Sequence, residues 1–343
     1  MRVGSNPQKD KKIESSDYFH QVIVPVYIPN QEGYFKDGLA ILQYCLESLV
    51  KTSHNKTFIS IINNGSCDVV SEYLERLRNA GTIQELIHTS NIGKMNAVLK
   101  GIVGHSFDLV TVADADVLFL EDWQTSSYKV FEAFPKAGMV CTTPSSRSYK
   151  VLTSNIYWDY LFSKKLAFRS VKNPEALKAF AHSVGNESFY NQEHLNNYLT
   201  IKENNVTAVV GAGHFVATYR GGIFESGVMR NSLYKMGGTS ESDLLDVPVV
   251  KKDFWRLSTE DNYTYHMGNV LEDWMKTILE HQSKLPNTTL ISCPEFSFYG
   301  NSKIVYWFKS KLFGKIIFDK PVLKWVFRIK GLSKETADFY IKG

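Results

Sequence analysis

Cysteine is scarce: four in 343 residues, at 45, 67, 141 and 293, and no two of them form a CxxC pair. This spacing excludes a disulfide framework and a zinc knuckle and leaves ordinary reduced thiols. No apolar stretch approaches the roughly 20 residues that a membrane-crossing helix needs. The first sixteen residues are polar and charged, without the apolar segment of a secretory signal, so the sequence predicts a body that stays in the cytosol. The Asn-x-Ser/Thr triplets beginning at Asn55, Asn186, Asn205, Asn262 and Asn287 would then meet no glycosylating enzyme. No nucleic-acid-binding motif accompanies the basic residues, which argues against that class of partner. What is present, 43% hydrophobic and 22% charged residues, suits one large or two modest globular domains with a substantial core.

From residue 21 to residue 141, apolar runs rich in β-branched residues alternate with segments of helical period. That alternation is the mark of successive βαβ units around a mostly parallel sheet. The pattern predicts strands over 21–27, 58–63, 83–88, 109–113 and 138–141, and helices over 38–51, 68–80, 94–103 and 122–134. Val22-Ile23-Val24 and Phe58-Ile59-Ser60-Ile61-Ile62 are continuous rather than alternating, as befits parallel strands covered on both faces.

The carboxyl ends of those strands carry the chemistry. Asp114-Ala115-Asp116 closes the run Leu109–Ala113, and residues two apart in extended chain point the same way, so both carboxylates face one spot. Such a spot suits Mg²⁺ or Mn²⁺, which take oxygen ligands and keep positions open for a diphosphate. Pro25-Val26-Tyr27, Asn63-Asn64-Gly65-Ser66 and Asn91-Ile92-Gly93-Lys94 end the other three strands. Their glycines permit tight turns and close ligand approach, the following helix offers unpaired N–H groups, and Lys94 adds a positive charge suited to phosphate. Open α/β sheets bind their ligands along this edge.

These residues resemble family 2 of the nucleotide-sugar-dependent glycosyltransferases, which have the GT-A fold. The resemblance runs through 22–26, the Asn-Gly-Ser loop at 64–66, the Asn-x-Gly-Lys loop at 91–94, Asp114 and Asp116, and more loosely 211–222, about two thirds of the chain. It implies a Rossmann-like α/β domain with a nucleoside diphosphate across the strand ends. The donor would touch Pro25, Tyr27, Asn63, Gly65, Asn91, Gly93 and Lys94. Its diphosphate would be held through Mn²⁺ or Mg²⁺ at Asp116, with Asp114 close to the ribose or the metal. Many members carry an aspartate where Asn63 stands. An asparagine can accept from uracil N3–H or donate to cytosine N3, so Asn63 leaves uridine, thymidine, guanosine and cytidine donors open.

Transfer with inversion needs a carboxylate to take the proton of the acceptor hydroxyl. The resemblance places it in the segment Glu241–Asp246, with Asp243 as first choice, Glu241 as reserve, and Glu260-Asp261 third. It also implies a metal or phosphate contact from His266. Residues 209–222 read as a strand followed by a glycine turn on the acceptor side, and His214 within it reads as a packed strand histidine. Tyr157, Trp158, Tyr160 and Trp255 are aromatic candidates for sugar stacking, though aromatic residues more often belong to the core.

Residues 150–205 break the strand–helix rhythm with helical patterns over 174–183 and 192–204, an insertion expected to cover the acceptor site. The tail from Ser302 interleaves bulky apolar residues with ten basic ones against only three acidic ones, although the whole chain nets only +4. This composition suits helices lying on anionic lipid, with Pro321 dividing the tail in two. The expected organisation is an extension over 1–18, a catalytic domain over 19–300 (nucleotide half 19–145, acceptor half 146–300) and the basic amphipathic segment 301–343. The expected function is metal-dependent sugar transfer to a glycan or lipid-linked glycan, in the cytoplasm and peripheral to the inner face of the membrane. Two rivals remain. Asp116-Val117-Leu118 also fits haloacid-dehalogenase-like phosphohydrolases, but their motif sits on the first strand and here three βα units precede it. A catalytically inactive, glycan-binding relative is the other.

Overall fold

Val22-Ile23-Val24 lies fully buried on an interior strand of a ten-stranded sheet. The computed structural model describes residues 4–12, 16–224, 231–285, 291–297 and 303–342. In chain order its strands are β1 (His20–Val26), β2 (Thr57–Asn63), β3 (Glu85–His88), β4 (Leu109–Ala113), β5 (Val117–Phe119), β6 (Ala137–Cys141), β7 (Leu166–Ser170), β8 (Asn197–Glu203), β9 (Val206–Val210), β10 (Val216–Arg220), β11 (Trp255–Thr259) and β12 (Thr264–His266). The sheet order is β3-β2-β1-β4-β10-β6-β11-β9-β8-β7, and β5 and β12 form a separate ribbon.

The α/β architecture expected from the sequence, a mostly parallel sheet flanked by helices, is the one observed. The β1–β2, β2–β3, β1–β4 and β6–β11 pairs are parallel. β10 runs against both β4 and β6, β9 against β11, β8 against β9 and β7 against β8. β7, β9 and β10 therefore oppose the direction shared by the other seven. Proline inside a central strand would ordinarily cost a ladder bond. Pro25 avoids this because β4 pairs with β1 only as far as Ile23↔Val112, so the missing N–H falls beyond that ladder.

Helices Gly38–Thr52, Asp68–Asn79, Lys94–Ile102 and Trp123–Ala133 fill the crossovers that the periodicity predicts. The helix Pro174–Ser183 is also as expected, with Asn173 capping it by accepting from Ala176 N–H. Two expectations fail nearby. The helix predicted over 192–204 ends at Asn196, and the rest is β8, because Tyr198-Leu199-Thr200-Ile201 pairs with both β7 and β9. The single strand read over 209–222 is two strands in separate parts of the sheet. Gly211 breaks them at φ +95°, where a Cβ would stand 2.3 Å from Ser148 O.

The tail forms helices Lys303–Tyr306, Trp307–Leu312, Phe313–Ile317, Lys320–Ile329 and Lys334–Lys342. The chain breaks just before Pro321, which sits in the first turn of Lys320–Ile329. Leu323, Val326, Phe327, Ala337 and Tyr340 join the buried cluster that holds Phe131, Tyr157 and Leu257. This half of the tail is therefore core. No described helix is long and apolar enough to cross a membrane.

Candidate functional site

Three strand-end loops interlock before any ligand is considered. Gly65 adopts φ +90°, and a Cβ there would stand 2.9 Å from Asn91 N, so only glycine lets the second loop touch the third. Gly93, at φ +91°, similarly admits Tyr234 O, 2.8 Å from where its Cβ would be. Lys94 N–H donates to Lys235 O at 2.8 Å, and Asn96 bonds both backbone groups of Ser232, its Nδ2 donating at 3.0 Å and its Oδ1 accepting at 2.7 Å. Residues 232–235 are thereby fastened beside the strand ends.

A cavity of about 500 Å³ opens over β1 and β4, with Pro25, Tyr27, Asn91, Lys94, Asp114 and Asp116 in its wall. Sequence reasoning missed Tyr34, Phe35, Lys235, Met236 and Asn269, which also line that wall. Lys235, Met236 and Asn269 come from segments without strand or helix periodicity, so nothing in the local sequence pointed to them.

Asn63 is not in the wall. Its Nδ2 donates to Ser71 Oγ at 2.9 Å and lies 3.0 Å from His88 Nδ1, while its Oδ1 accepts from Ser66 N–H at 3.0 Å. As the last residue of β2 it follows the strand alternation onto the face packed by Asp68–Asn79. Asn64, one residue on, points the other way into the cavity, its Oδ1 accepting from Ile92 N–H at 3.0 Å and Thr89 Oγ1 at 3.2 Å. Strand alternation carried one step past the strand end would have selected it.

Lys94 is the electrostatic hinge. Its Nζ lies 2.6 Å from Asp114 Oδ1 and 2.6 Å from Glu241 Oε1. Burial alone would lower its pKa, but the two carboxylates reverse that and hold it above the usual lysine range. Burial would likewise raise Glu241, yet Lys94 and, more weakly, His214 bring it below its ordinary value. Asp243 is turned elsewhere: it is exposed and its Oδ2 accepts from Thr239 Oγ1 at 2.6 Å. Glu260 pairs with Lys172 at 3.1 Å, away from the cavity wall.

Asp116 has no such lysine partner. Burial pushes its pKa up to about 6, with Asp114 adding to the rise and His266 and Lys94 opposing it. Its Oδ1 is buried and hydrogen-bonded to nothing among the described residues. The β5–β12 ribbon sets His266 opposite Val117, with Nε2 3.4 Å from Asp116 Oδ2. His266 Nδ1 lies 3.0 Å from Ser183 Oγ, and that hydroxyl donates to Phe180 O at 2.8 Å. The serine proton is thus spoken for, so Nδ1–H donates to Ser183 and Nε2 is the atom presented to Asp116. An unpaired carboxylate oxygen beside an imidazole nitrogen is a donor set that fits a divalent cation. No cluster of three or more His, Cys, Asp or Glu side chains suited to a metal occurs among the described residues, so an ion here would draw its remaining ligands from substrate oxygens and water.

His214 is not the packed strand residue expected. It lies between β9 and β10, one-third exposed, with Nδ1 3.1 Å from fully buried Asp246, whose other neighbour is Arg256 at 3.0 Å. Tyr157 and Trp255 are core, Tyr160 packs on Trp255, and Trp158 lies edge-on to Phe313, so none of the four lines the cavity.

Residues 22–198 match the family described as glycosyl transferase family 2. Over 111 residues the chain is 29% identical to poly-beta-1,6-N-acetyl-D-glucosamine synthase of Staphylococcus aureus, covering 32% of this chain and 27% of the synthase. It is 25% identical over 165 residues to glycosyltransferase GlyA of Streptococcus pneumoniae serotype 4, covering 47% of this chain and 22% of GlyA. The chain thus spans about a quarter of the length of the curated relatives it matches. Among solved structures, the mannosyltransferase PcManGT from Pyrobaculum calidifontis in complex with GDP-Man and Mn²⁺ superposes with TM-score 0.44 at 14% identity, over 94% of this chain and 74% of that one. Staphylococcus aureus TarS 1–349 in complex with UDP-GlcNAc gives TM-score 0.43 at 11% identity, over 94% and 70%.

Proposed function

The chain belongs to glycosyl transferase family 2, and from that premise we propose that it is a metal-dependent enzyme moving a sugar from a nucleoside diphosphate to a glycan or lipid-linked glycan, with inversion, on the cytoplasmic side of a membrane. The observation that carries this is the arrangement at the mouth of the cavity. Lys94 bridges Asp114 and Glu241, and Asp116 with His266 stands beside them offering unpaired donors.

In this reading the cavity holds the nucleoside, with Tyr27, Tyr34 and Phe35 as an apolar wall and Asn64 beside them. Asp116 and His266 would hold Mn²⁺ or Mg²⁺, which when bound would neutralise charge on the departing diphosphate. Lys94 and Lys235 bring two more positive charges to that end of the cavity. Glu241, rather than Asp243, is the base: it takes the proton from the acceptor hydroxyl as that oxygen bonds to the anomeric carbon and the bond to the diphosphate breaks. Glu241 begins as a weak base because Lys94 stabilises its anion. Movement of Lys94 toward phosphate would raise its basicity when donor is present.

A thermal-shift screen of UDP, GDP, dTDP and CMP with and without Mn²⁺ tests the proposal. Metal-dependent stabilisation by one nucleotide is expected, by about 2.7 kcal/mol at a hundredfold excess over Kd. No shift with any of them would remove it.

A further inference from the structure

The first half of the tail is inverted for a surface helix. Lys309 is buried and turned inward, its Nζ 2.7 Å from Asp159 Oδ1 and 2.9 Å from Asp253 Oδ2, and those carboxylates also bind Lys136 at 2.8 Å each. Gly314 and Ile317 face inward with it, Gly314 admitting Ser154. The outward face carries two rows at a spacing of four. Phe308, Leu312 and Ile316 form one, Trp307, Lys311 and Lys315 the other, and all six are exposed. Trp158, from the neighbouring helix Ser154–Tyr160, joins them through its edge contact with Phe313 at 5.1 Å. The apolar members of this face are each 46–55% exposed. A helix that buries a lysine and exposes tryptophan, phenylalanine, leucine and isoleucine meets something other than water on its outer side.

We propose that this face, residues 307–316 with Trp158, docks on anionic lipid, its aromatic and aliphatic side chains entering the interface while Lys311 and Lys315 meet headgroup phosphates. Charge decides the occupant. The face carries two lysines and no acid, whereas a second copy of the same face would set those lysines against their own kind. Aromatic residues beside lysines on one helix face are the composition of an interfacial helix, and no crossing segment is needed. The second half of the tail, from Lys320, is excluded from the contact in large part, because Leu323, Val326 and Phe327 are core. Lys303–Tyr306 abuts Val247–Lys251, which continues directly from the Glu241–Asp246 turn, so the docked face adjoins the element that carries the base. This deepens the proposed transfer to a lipid-linked acceptor by naming the surface that would bring the site to it.

Co-sedimentation of the full chain with vesicles tests it, without donor or acceptor. Binding to phosphatidylcholine doped with phosphatidylglycerol, little binding to phosphatidylcholine alone, and loss at high salt are expected. Trp307→Ser with Phe308→Ser should abolish pelleting. Lys311→Gln with Lys315→Gln should weaken it by roughly 30-fold, since each lysine near an anionic surface counts for about a fivefold change. All four positions are exposed, so the nucleotide thermal shift should persist in both variants, which separates failure of this surface from failure of the donor site. Absence of binding to anionic vesicles, or binding that survives both pairs of substitutions, would overturn the proposal. So would a dimer in solution that the Trp307/Phe308 pair dissolves while no vesicle binding is found.

Discussion

At the scale of single residues, Asp116 is the most consequential side chain. Its raised pKa means that the folded state disfavours the carboxylate. The cost is absent below the ordinary value near 3.8, grows as pH rises, and is complete above about 6. Asp116→Asn should therefore leave the ligand-free protein as stable or more stable at pH 7.5, by something on the order of 1 kcal/mol given its partial exposure, and indistinguishable near pH 4. The same substitution should erase any Mn²⁺-dependent shift with nucleotide. Calorimetry at the two pH values checks both halves, and a large loss of stability at pH 7.5 would contradict the burial argument. Glu241 and Asp243 separate just as cleanly. Glu241→Gln should lower kcat by 10²-fold or more with the donor affinity nearly kept, whereas Asp243→Asn, on an exposed carboxylate held only by Thr239, should change turnover by less than threefold. Steady-state kinetics with either outcome reversed would return the role to Asp243. That Asp114, Asp116 and Lys94 lie in the cavity wall was legible in the sequence because each stands just beyond a strand end, whereas Gly65 and Gly93 shape the loops without lining the wall. The choice between neighbours was legible only in part. Strand alternation carried one residue further separates Asn64 from Asn63, whereas Asp243 against Glu241 depends on which way a side chain turns on a short helical element, and composition is silent on that.

At the scale of elements, the crossover helices of the first half were legible almost to the residue, since parallel strands and amphipathic helices have different periods. The second half was not, because most of its strand pairs are antiparallel and partly at an edge. Residues 197–203 carry helix-compatible leucine and lysine but are decided by pairing with β9 across the tight turn at Asn204 and Asn205, and with β7, which lies beyond two intervening helices. The tail illustrates the same limit. Its charges suggested solvent or lipid, yet Lys309 closes a buried four-charge network. Lys309→Met should leave Asp253, itself almost fully buried, with Lys136 as its remaining cation. Removing one partner of a buried pair typically costs about 3–5 kcal/mol. The expected result is a Tm lower by several degrees and faster amide exchange across 307–317, measured by hydrogen exchange; unchanged exchange there would show that apolar packing alone seats the helix.

At the scale of the whole molecule, the sheet gathers residues from widely separated parts of the chain at one rim: Lys94 and Asp114 from the first half, Glu241 and His266 from the second, and Ser183, the last residue of a helix in the insertion, behind His266. The carboxylates of Asp116 and Glu241 at this rim are shifted in opposite directions, and this gives the proposed activity a shape in pH. Glu241 lies below its ordinary range because of Lys94, so in the resting protein it stays ionised as pH falls. Asp116, raised to about 6, takes up a proton first. If the proposed roles hold, acid should weaken metal-dependent donor binding at Asp116 before it silences Glu241 as the base. Between pH 7.5 and 5, the apparent Kd for donor in the presence of Mn²⁺ should rise about tenfold, as the ionised fraction of Asp116 falls, and excess Mn²⁺ should restore it by competing with the proton. Donor titrations across that range at two Mn²⁺ concentrations decide the matter. If acid instead lowers kcat at constant donor affinity and added Mn²⁺ does nothing, the group losing its function is the base, and the division of labour between Asp116 and Glu241 is the reverse of the one their surroundings dictate.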